Sequence, residues 1–262
     1  MILTDTHTHL YYEKDAEKLN DLMQRCSDQS ISRLFLPNVN ASTVPLLYEL
    51  SAKYPENCYP MLGLHPCDVK PVADDEVAVY TDELNAIYQS MQKNKFYAVG
   101  EIGIDLYWDK TTLEIQQQAF RTQIKWAKEM NLPIVIHCRE AFDEIFEILE
   151  EERGDKLRGI FHCFTGNLEQ ARYIIELGFY LGIGGVLTYK NSGLDKVIAE
   201  IDLENIVLET DSPYLTPVPF RGKPNESSYL TYVAQKLADI KHVSLEEVAA
   251  ITTANSKKVF GI

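Results

Sequence analysis

Eight short runs with the composition of β-strands alternate along this chain with longer segments of helical periodicity. Such alternation is typical of parallel strands joined by right-handed crossovers. The runs are, in chain order, "ILTDTHTHL", "RLFLPNV", "CYPMLGLHP", "YAVGEIGID", "PIVIHC", "GIFHCFTG", "FYLGIGG" and "NIVLETDSP". Eight strand–helix units within 262 residues predict a protein of the α/β class, a (β/α)8 TIM barrel that forms a single domain over residues 1–262.

The alternative to a barrel is an open, doubly wound parallel sheet. That fold normally begins with a glycine-rich turn that binds a phosphate, whereas the first run here continues into Tyr11 and Tyr12. Helical spacing of apolar residues predicts helices after several strands, and Ser244 with Glu247 fits a capping box. The helices with definite predicted bounds are Leu113–Met130, Phe142–Leu149, Tyr229–Ile240 and Leu245–Phe260.

The five cysteines are odd in number and contain no C-x-x-C pair, so the sequence favours reduced thiols over disulfides or a zinc ribbon. No basic stretch followed by an apolar run opens the chain, and no segment reaches the roughly 18 apolar residues that a membrane span needs. We therefore predict a cytoplasmic protein without membrane attachment and without an obligate protein partner.

The formal net charge of the chain is −14 at pH 7. Non-specific binding to nucleic acid needs clustered lysine and arginine, so this charge argues against that class of protein. An anionic substrate would need a local positive charge to offset the acidic chain. Divalent metal ions held in a cluster of ligands would supply it.

Residues of the kinds that ligate metals collect at the C-terminal ends of the predicted strands, the face on which TIM barrels build their active sites. A single histidine there is usually an ordinary packing or surface residue, and His242, between two predicted helices, receives no function. Seven such residues at one face indicate a metal site instead. They are His7, His9, His65, Glu101, His137, His162 and Asp211.

His7 and His9 are expected to share one face of the first strand, because residues i and i+2 of a strand point to the same side. Imidazole and carboxylate ligands together suit Zn, Mn, Fe, Ni or Co, and a site richer in oxygen can take Mg. Four histidines and two carboxylates exceed one tetrahedral shell. The surplus predicts two metal ions bridged by a carboxylate, an arrangement that can activate water.

Alternation along the strands also gives expectations for neighbouring residues. Cys138 and Cys163 each follow a histidine directly, so we expect both thiols to face the surrounding helices as packing residues. Asp5 shares the predicted face of the first histidine pair and is expected to fix an imidazole tautomer. Glu209 shares the predicted face of Asp211, where direct ligation and a supporting contact stay equally open.

Seven motifs in succession resemble those of the TatD-type metal-dependent hydrolases, a branch of the amidohydrolase-like barrels. They are "DTHTHL", "GLHP", "GEIGID", "IHCR", "HCFTG", "LETDSPYL" and "RGKPNE", which cover nearly the whole chain in the family's order. The last two motifs together are more specific than the H-x-H pattern. The resemblance implies a TIM-barrel hydrolase. Family members are mostly described as deoxyribonucleases, some as 3′ to 5′ exonucleases, with magnesium or a transition metal as cofactor.

The resemblance further implies two metal sites that share one carboxylate. The first ion would be bound by His7, His9, Glu101 and Asp211. The second ion would be bound by Glu101, His137 and His162. Asp211 would hold or deprotonate the attacking water.

The remaining motif positions are expected to serve the substrate or the loops. His65, which we group with Glu101 and Asp211 as catalytic, would lie near the substrate phosphate. Arg139 and Arg221 would pair with phosphate oxygens, with an ordinary ion pair to a neighbouring acid as the equally open alternative. Asp105 and Asn225 are expected only to support the site or to hold loops.

The leading hypothesis is a TatD-like deoxyribonuclease that uses two divalent ions, Mg, Mn or Zn, to cleave phosphodiester bonds. Because the acidic chain offers no basic track for long duplex DNA, a DNA or oligonucleotide end, or another phosphorylated small molecule, suits it better as substrate. An amidase, lactonase or esterase is the second hypothesis, and Glu101 disfavours it because many such barrels place a carboxylated lysine there. A non-catalytic barrel protein is the third hypothesis, which the complete ligand set disfavours.

Overall fold

The computed structural model of the protein describes residues 1–71 and 78–262. The strands within these ranges are β1 (Leu3–Asp5), β2 (Ile31–Pro37), β3 (Cys58–Met61), β4 (Val99–Asp105), β5 (Ile134–Arg139), β6 (Gly159–Phe161), β7 (Phe179–Ile183) and β8 (Ile206–Leu208). The α-helices are α1 (Ala16–Asp28), α2 (Val44–Lys53), α3 (Ala78–Met91), α4 (Leu113–Met130), α5 (Phe142–Glu151), α6 (Leu168–Glu176), α7 (Leu194–Ala199), α8 (Leu230–Lys241) and α9 (Leu245–Phe260).

The strands close into a parallel barrel. They pair in the order β1-β2-β3 and β4-β5-β6-β7-β8, and every pairing is parallel. Parallel bridges join the two sheets at both edges, between Leu62 and Val99 and between Thr8 and Ser212. The predicted (β/α)8 TIM barrel is therefore confirmed.

The first strand is shorter than the sequence predicts. β1 ends at Asp5 and the chain bends at the next residue. The following backbone pairs instead with the segment after β8: the Asp211 amide donates to the His7 carbonyl at 2.9 Å, and the His9 amide donates to the Ser212 carbonyl at 2.8 Å. The two histidines therefore stand in a loop at the C-terminal end of the barrel, directly beside Asp211.

The predicted helices are found with small differences in their bounds. α4 and α9 have the predicted bounds, α5 ends at Glu151 rather than Leu149, and α8 is displaced by one residue. The Ser244 hydroxyl accepts the Glu247 amide at the start of α9, which is one half of the expected capping box. Within the described parts of the chain, the helices lack the length and apolar character that crossing a membrane requires.

A second, smaller hydrophobic core fills the barrel on the side opposite the histidines. Phe260, the last residue of α9, stacks on Phe35 of β2 with ring centroids 3.7 Å apart. The buried side chains around this pair are Met61, Ala98, Val135, Ile160, Val207 and Val259. The end of α9 thus closes one mouth of the barrel, which leaves the other mouth for the site.

The variant Phe260→Ala tests this closure. Phe260 is 7% exposed, so its truncation should lower the free energy of unfolding by about 3–5 kcal/mol, the usual cost of deleting a buried phenyl ring. Urea denaturation measures the change. Tyr232→Ala, at a residue that is 39% exposed, is the matched control. Equal losses in both variants would contradict a packing role for Phe260.

Candidate metal centre

The C-terminal ends of the strands surround a cleft of about 660 Å³. His7 lies beneath the cleft and is completely buried. The sequence-predicted site residues that line the cleft are His9, His65, Glu101, His137, Arg139, His162 and Asp211. The barrel thus brings together the candidate ligands from β4, β5 and the segments that follow β1, β3, β6 and β8.

Glu101 stands at the centre, and its Oε2 atom faces one group of candidate ligands. The Oε2 atom lies 3.2 Å from His7 Nε2 and 3.8 Å from His9 Nε2. Asp211 completes this group, with its Oδ1 atom 3.8 Å from His7 Nε2 and 3.5 Å from His9 Nε2. His7, His9 and Asp211 offer ligand atoms that all lie within 4.8 Å of one another.

The other oxygen of Glu101 faces a second group of imidazoles. Its Oε1 atom lies 2.8 Å from His137 Nδ1, 2.9 Å from His162 Nε2 and 3.3 Å from His65 Nε2. One carboxylate therefore separates two ligand groups. This is the arrangement that a carboxylate bridging two metal ions would require.

The backbone of β4 positions Glu101. The register with β5 shifts between Gly100 and Ile102, so Glu101 stands at an irregularity of the ladder, a feature that often directs a side chain toward an active site. Gly103 follows with φ of +143°, and a Cβ atom there would lie 2.1 Å from the His137 carbonyl oxygen. Only glycine allows this close approach of β4 to β5.

Tyr11 determines which nitrogen of His9 faces the cleft. The Tyr11 hydroxyl donates its one proton to the Pro37 carbonyl at 2.8 Å, and it lies 2.9 Å from His9 Nδ1. The hydroxyl must therefore accept from Nδ1, which carries the imidazole proton. The Nε2 lone pair of His9 is left free toward Asp211 and Glu101. No pattern in the sequence predicts this contact, because it depends on the path of the loop after β1.

His65 has the opposite tautomer. Its Nδ1 atom accepts the Cys67 amide at 3.1 Å, so the proton of the neutral ring resides on Nε2. The Nε2–H group points into the cleft, toward Glu101. A donor in this position suits a phosphate oxygen better than it suits a metal ion.

Asp105 connects His137 to the loop after β4. Its Oδ2 atom lies 2.8 Å from His137 Nε2, while Oδ1 accepts the amides of Tyr107 and Trp108 at 3.0 and 3.4 Å. Because Glu101 contacts the other nitrogen, His137 lies between two carboxylates. Asp105 thus has the site-supporting and loop-holding contacts that its motif position suggests.

Glu209 lies beside His162 on the side away from Glu101. It is completely buried, its Oε1 atom lies 3.4 Å from His162 Nδ1, and the same oxygen accepts the Cys163 amide. The carboxylate fits against β7 because Gly182 has no side chain. A Cβ atom there would lie 2.3 Å from Glu209 Oε2. These contacts favour the supporting role for Glu209 over direct ligation.

Asp5 does not orient an imidazole, contrary to the expectation from alternation. Its carboxylate accepts the Thr210 amide and hydroxyl, at 2.9 and 2.6 Å, and the His7 amide at 3.3 Å. The bend after β1 breaks the alternation between Asp5 and His7. The carboxylate instead ties β1 to the segment after β8, the two pieces of chain that carry His7, His9 and Asp211.

Alternation predicts that Cys138 and Cys163 face the surrounding helices. Cys138 packs against the larger hydrophobic core, between the strands and the helices, as expected, whereas Cys163 does not follow the prediction. β6 ends at Phe161, and Cys163 adopts a left-handed backbone with φ of 49°. Alternation applies only within a strand, so the rule fails two residues beyond its end. Both residues are nevertheless among those that line the cleft.

Both candidate carboxylate ligands stay ionised, and their neighbours among the histidines respond to them: contacts with carboxylates outweigh burial and raise the pKa of His137 and His162. Burial opposes the ionisation of Glu101, but the surrounding imidazoles, with His162 contributing most, outweigh it and hold the pKa of Glu101 well below its ordinary value. The pKa of Asp211 is also lowered, because contacts with His9 and the other imidazoles outweigh its burial. Burial, together with the stacked ring of His162 at 3.9 Å, lowers the pKa of His7 and keeps it neutral.

The residues present fit a metal ion. His7 Nε2 is buried, makes no hydrogen bond, and points at the carboxylates of Glu101 and Asp211. A buried polar atom without a partner is costly, and an ion among these ligands would satisfy it. The neutral imidazole of His7 and the ionised carboxylates of Glu101 and Asp211 are also in the protonation states that bind metals.

The two predicted phosphate-binding arginines differ in position. The Arg139 guanidinium lies over the Tyr107 ring at 3.7 Å and lines the cleft. Arg221 lies over the Tyr189 ring at 3.8 Å. Among the residues that the structure describes around the cleft, Arg139 contributes to the lining and Arg221 does not.

The "RGKPNE" motif holds the segment after β8. The Asn225 amide group donates to the carbonyls of Thr210 and Tyr214 at 2.8 and 2.6 Å. Glu226 forms a two-point ion pair with Arg25 of α1, both contacts being 2.8 Å. The motif thus fixes the chain on both sides of Asp211, in agreement with the loop-holding role expected for Asn225.

The chain is similar in sequence and structure to proteins of one family. The family profile described as TatD related DNase matches residues 4–261. The uncharacterized metal-dependent hydrolase YabD of Bacillus subtilis is 40% identical over the full length of both chains. The 3′-5′ ssDNA/RNA exonuclease TatD of Shigella flexneri is 31% identical over 98% of each chain. The crystal structure of YjjV, a TatD homologue from Escherichia coli, superposes with a TM-score of 0.89 at 28% identity, covering 99% of this chain and 98% of that one.

Replacing Glu209 by glutamine tests the support of His162. The variant Glu209→Gln keeps the shape of the side chain but removes its charge, so we expect a 10- to 100-fold loss of metal affinity, the usual effect of removing a partner of a ligating histidine. Isothermal titration with Mn²⁺ or Zn²⁺ measures it. Glu204→Gln, at an exposed residue, is the control. Unchanged affinity in Glu209→Gln would refute the supporting role.

The Arg25–Glu226 pair gives a pH-dependent prediction. Burial opposes the ionisation of Glu226, but Arg25 and Ser228 outweigh it and lower the pKa of Glu226 below its ordinary value of 4.5. A lowered folded-state pKa stabilises the fold above pH 4.5, and the stabilisation is lost as pH falls through the folded-state value. Glu226→Gln should cost about 1 kcal/mol or less at pH 7 and nothing in acid. Urea denaturation at pH 7 and at an acid pH below the folded-state pKa of Glu226 measures this difference. The control variant Glu56→Gln, at an exposed turn, should show no such difference.

Proposed function

This chain belongs to the family of TatD-related DNases and is a metal-dependent hydrolase, and we propose that it cleaves phosphodiester bonds of nucleic acid with a pair of divalent metal ions. The observation that carries the proposal is the central position of Glu101. Its two oxygens face two different groups of imidazoles. A buried carboxylate with this geometry suits a bridge between two cations.

The residues divide between the two proposed ions as the family resemblance implies. His7, His9, Glu101 and Asp211 would hold one ion. Glu101, His137 and His162 would hold the other, and His137 would exchange its contact with Glu101 Oε1 for the ion. Such a pair of ions supplies Lewis-acid activation of water and neutralises charge on the phosphate. Because four of the six ligands are imidazoles, Mn²⁺ or Zn²⁺ should bind more tightly than Mg²⁺.

Asp211 is proposed to accept the proton of the attacking water. Its lowered pKa keeps it ionised, and it borders the cleft, where a carboxylate oxygen not shared with a metal could hold a water molecule. Its backbone adopts a left-handed conformation with φ of 55°. Side chains held in this region are often found at functional sites.

His65 and Arg139 are proposed to bind the phosphate. The Nε2–H group of His65 can donate to one phosphate oxygen, and the Arg139 guanidinium can donate to another. Both side chains line the cleft with the candidate ligands. Arg221, which stacks on Tyr189 away from the lining residues, is proposed to contact the substrate only beyond the scissile phosphate.

Nucleic acid is the substrate class that the relatives favour, since one of them is named as an exonuclease of single-stranded DNA and RNA. The acidic chain, with a net charge of −14, suits a strand end better than long duplex DNA. We also propose a cytoplasmic location, which the five unpaired cysteines support because reduced thiols are typical of that compartment.

The proposal is tested by stripping the purified protein with a chelator and assaying it on single-stranded oligonucleotides with added Mg²⁺, Mn²⁺ or Zn²⁺. We expect no cleavage without metal and clear cleavage with at least one ion. The variant Asp211→Asn should lower kcat by about 10²- to 10⁴-fold, the range for loss of a general base. Asp239→Asn, at an exposed residue of α8, should retain full activity.

The absence of cleavage with all three ions would refute the nuclease activity. Ester, lactone and amide substrates assayed in parallel distinguish that outcome from an inactive preparation. A variant Glu101→Gln that still bound two equivalents of metal in isothermal titration would refute the proposed bridge.

A further inference from the structure

We propose that Trp108, supported by Tyr107 and Arg139, forms a stacking platform for an unpaired nucleobase beside the scissile phosphate. The inference rests on the proposed function, since it takes the substrate to be nucleic acid. It adds to that function a residue that binds the base and a preference for single-stranded ends.

The platform is a group of planar side chains that contact one another on the rim of the cleft. Trp108 is 72% exposed and lines the cleft that contains the candidate ligands. The rings of Tyr107 and Trp108 meet edge to face at 4.8 Å, and the Arg139 guanidinium lies 3.7 Å from the Tyr107 ring and 5.5 Å from the Trp108 ring. Exposure of so large an apolar ring is unusual for packing, and at a cleft it is typical of a ligand contact.

The platform is tied directly to the metal centre. The Asp105 carboxylate contacts His137 through one oxygen and accepts the amides of Tyr107 and Trp108 through the other. Arg139 lies two residues after His137 on β5. The position of the indole is therefore coupled to that of a candidate ligand, and a base on the indole would lie next to the phosphate held at the ions.

The charge of the cleft makes a stacking contact necessary. Among the described residues that line it, Arg139 is the one lysine or arginine, and the chain as a whole carries a net charge of −14. Ion pairing to successive phosphates therefore cannot supply the affinity for a strand. Base–aromatic stacking can do so without regard to sequence or sugar, because every base has a π-face.

Stacking on an indole requires a base that is free of its partner. A paired terminal base is already stacked within the duplex, so the platform favours single-stranded or frayed ends. It should not distinguish DNA from RNA, since stacking does not read the 2′-hydroxyl. With one arginine at the phosphates, the logarithm of the affinity should fall with the logarithm of the salt concentration with a shallow slope of about −0.7.

The first experiment compares Trp108→Ala with the native enzyme on an oligonucleotide and on the same oligonucleotide with an abasic site at its end. We expect Trp108→Ala to raise KM for the intact strand by about 5- to 150-fold, the range for loss of one base stack. The two enzymes should have equal KM for the abasic strand. Trp108→Phe should recover most of the loss, and Tyr232→Ala, which removes an exposed ring of α8, should be silent.

The second experiment measures binding without catalysis. The chain has two tryptophans, and Trp126 is buried at 9% exposure. Quenching of tryptophan fluorescence by added oligo-dT in the metal-loaded Asp211→Asn protein therefore reports on Trp108. Quenching is expected in that protein and should be absent when Trp108→Phe is combined with it. Intact and abasic ends should differ in the same way as in the kinetic experiment.

The two experiments separate failure of the platform from failure of the nuclease activity. An unchanged KM in Trp108→Ala, or an equal rise for intact and abasic strands, overturns the platform and leaves metal-dependent cleavage untouched. If no metal supports cleavage, the nuclease activity fails, and the titration alone decides: quenching by oligo-dT supports the platform, and no quenching overturns it.

Discussion

The structure depends on one buried carboxylate. Glu101 lies inside the barrel mouth with two oxygens that meet separate groups of imidazoles. A carboxylate in such surroundings stays ionised only where positive or polarisable groups compensate its burial. The loops after β1, β3 and β6, together with β5, meet this requirement by converging on it. The parallel barrel brings these sequence-distant segments to one face, and their imidazoles there offset the cost of burying the charge.

Residues that contact the histidines from outside the cleft determine which imidazole nitrogen carries the proton. Tyr11 places the proton of His9 on Nδ1, and the Cys67 amide places the proton of His65 on Nε2. The two imidazoles thus face the same cleft with opposite properties, one with a lone pair and one with a donor. Residue identity alone would make both histidines ligands. The hydrogen bond at the far nitrogen distinguishes a metal ligand from a group that can bind phosphate.

Sequence reasoning succeeded where the backbone is regular. The bounds of α4 and α9 follow from helical spacing and a capping serine, and the candidate ligands converge because parallel strands end at one face. It failed where the chain leaves a strand. Asp5 precedes a bend, and Cys163 has a positive φ, so alternation no longer predicts direction. The contacts of Tyr11 and Trp108 could not be predicted at all, because they depend on loop paths that no periodicity encodes.

A negatively charged protein that acts on a polyanion needs local positive charge at its site, because the two molecules repel each other. In the proposed two-metal state, the ions would add four positive charges to a cleft lined by four carboxyl groups, those of Asp68, Glu101, Asp105 and Asp211, and would so offset the local negative charge. Charges beyond about 10 Å are largely screened at physiological salt, so the distant acidic surface has little effect on a bound phosphate. The metal centre can then bind one phosphate strongly while the rest of the surface repels the backbone. In the proposed nuclease, the remaining affinity would have to come from the bases, and the exposed aromatic rim of the cleft is where we propose that they bind.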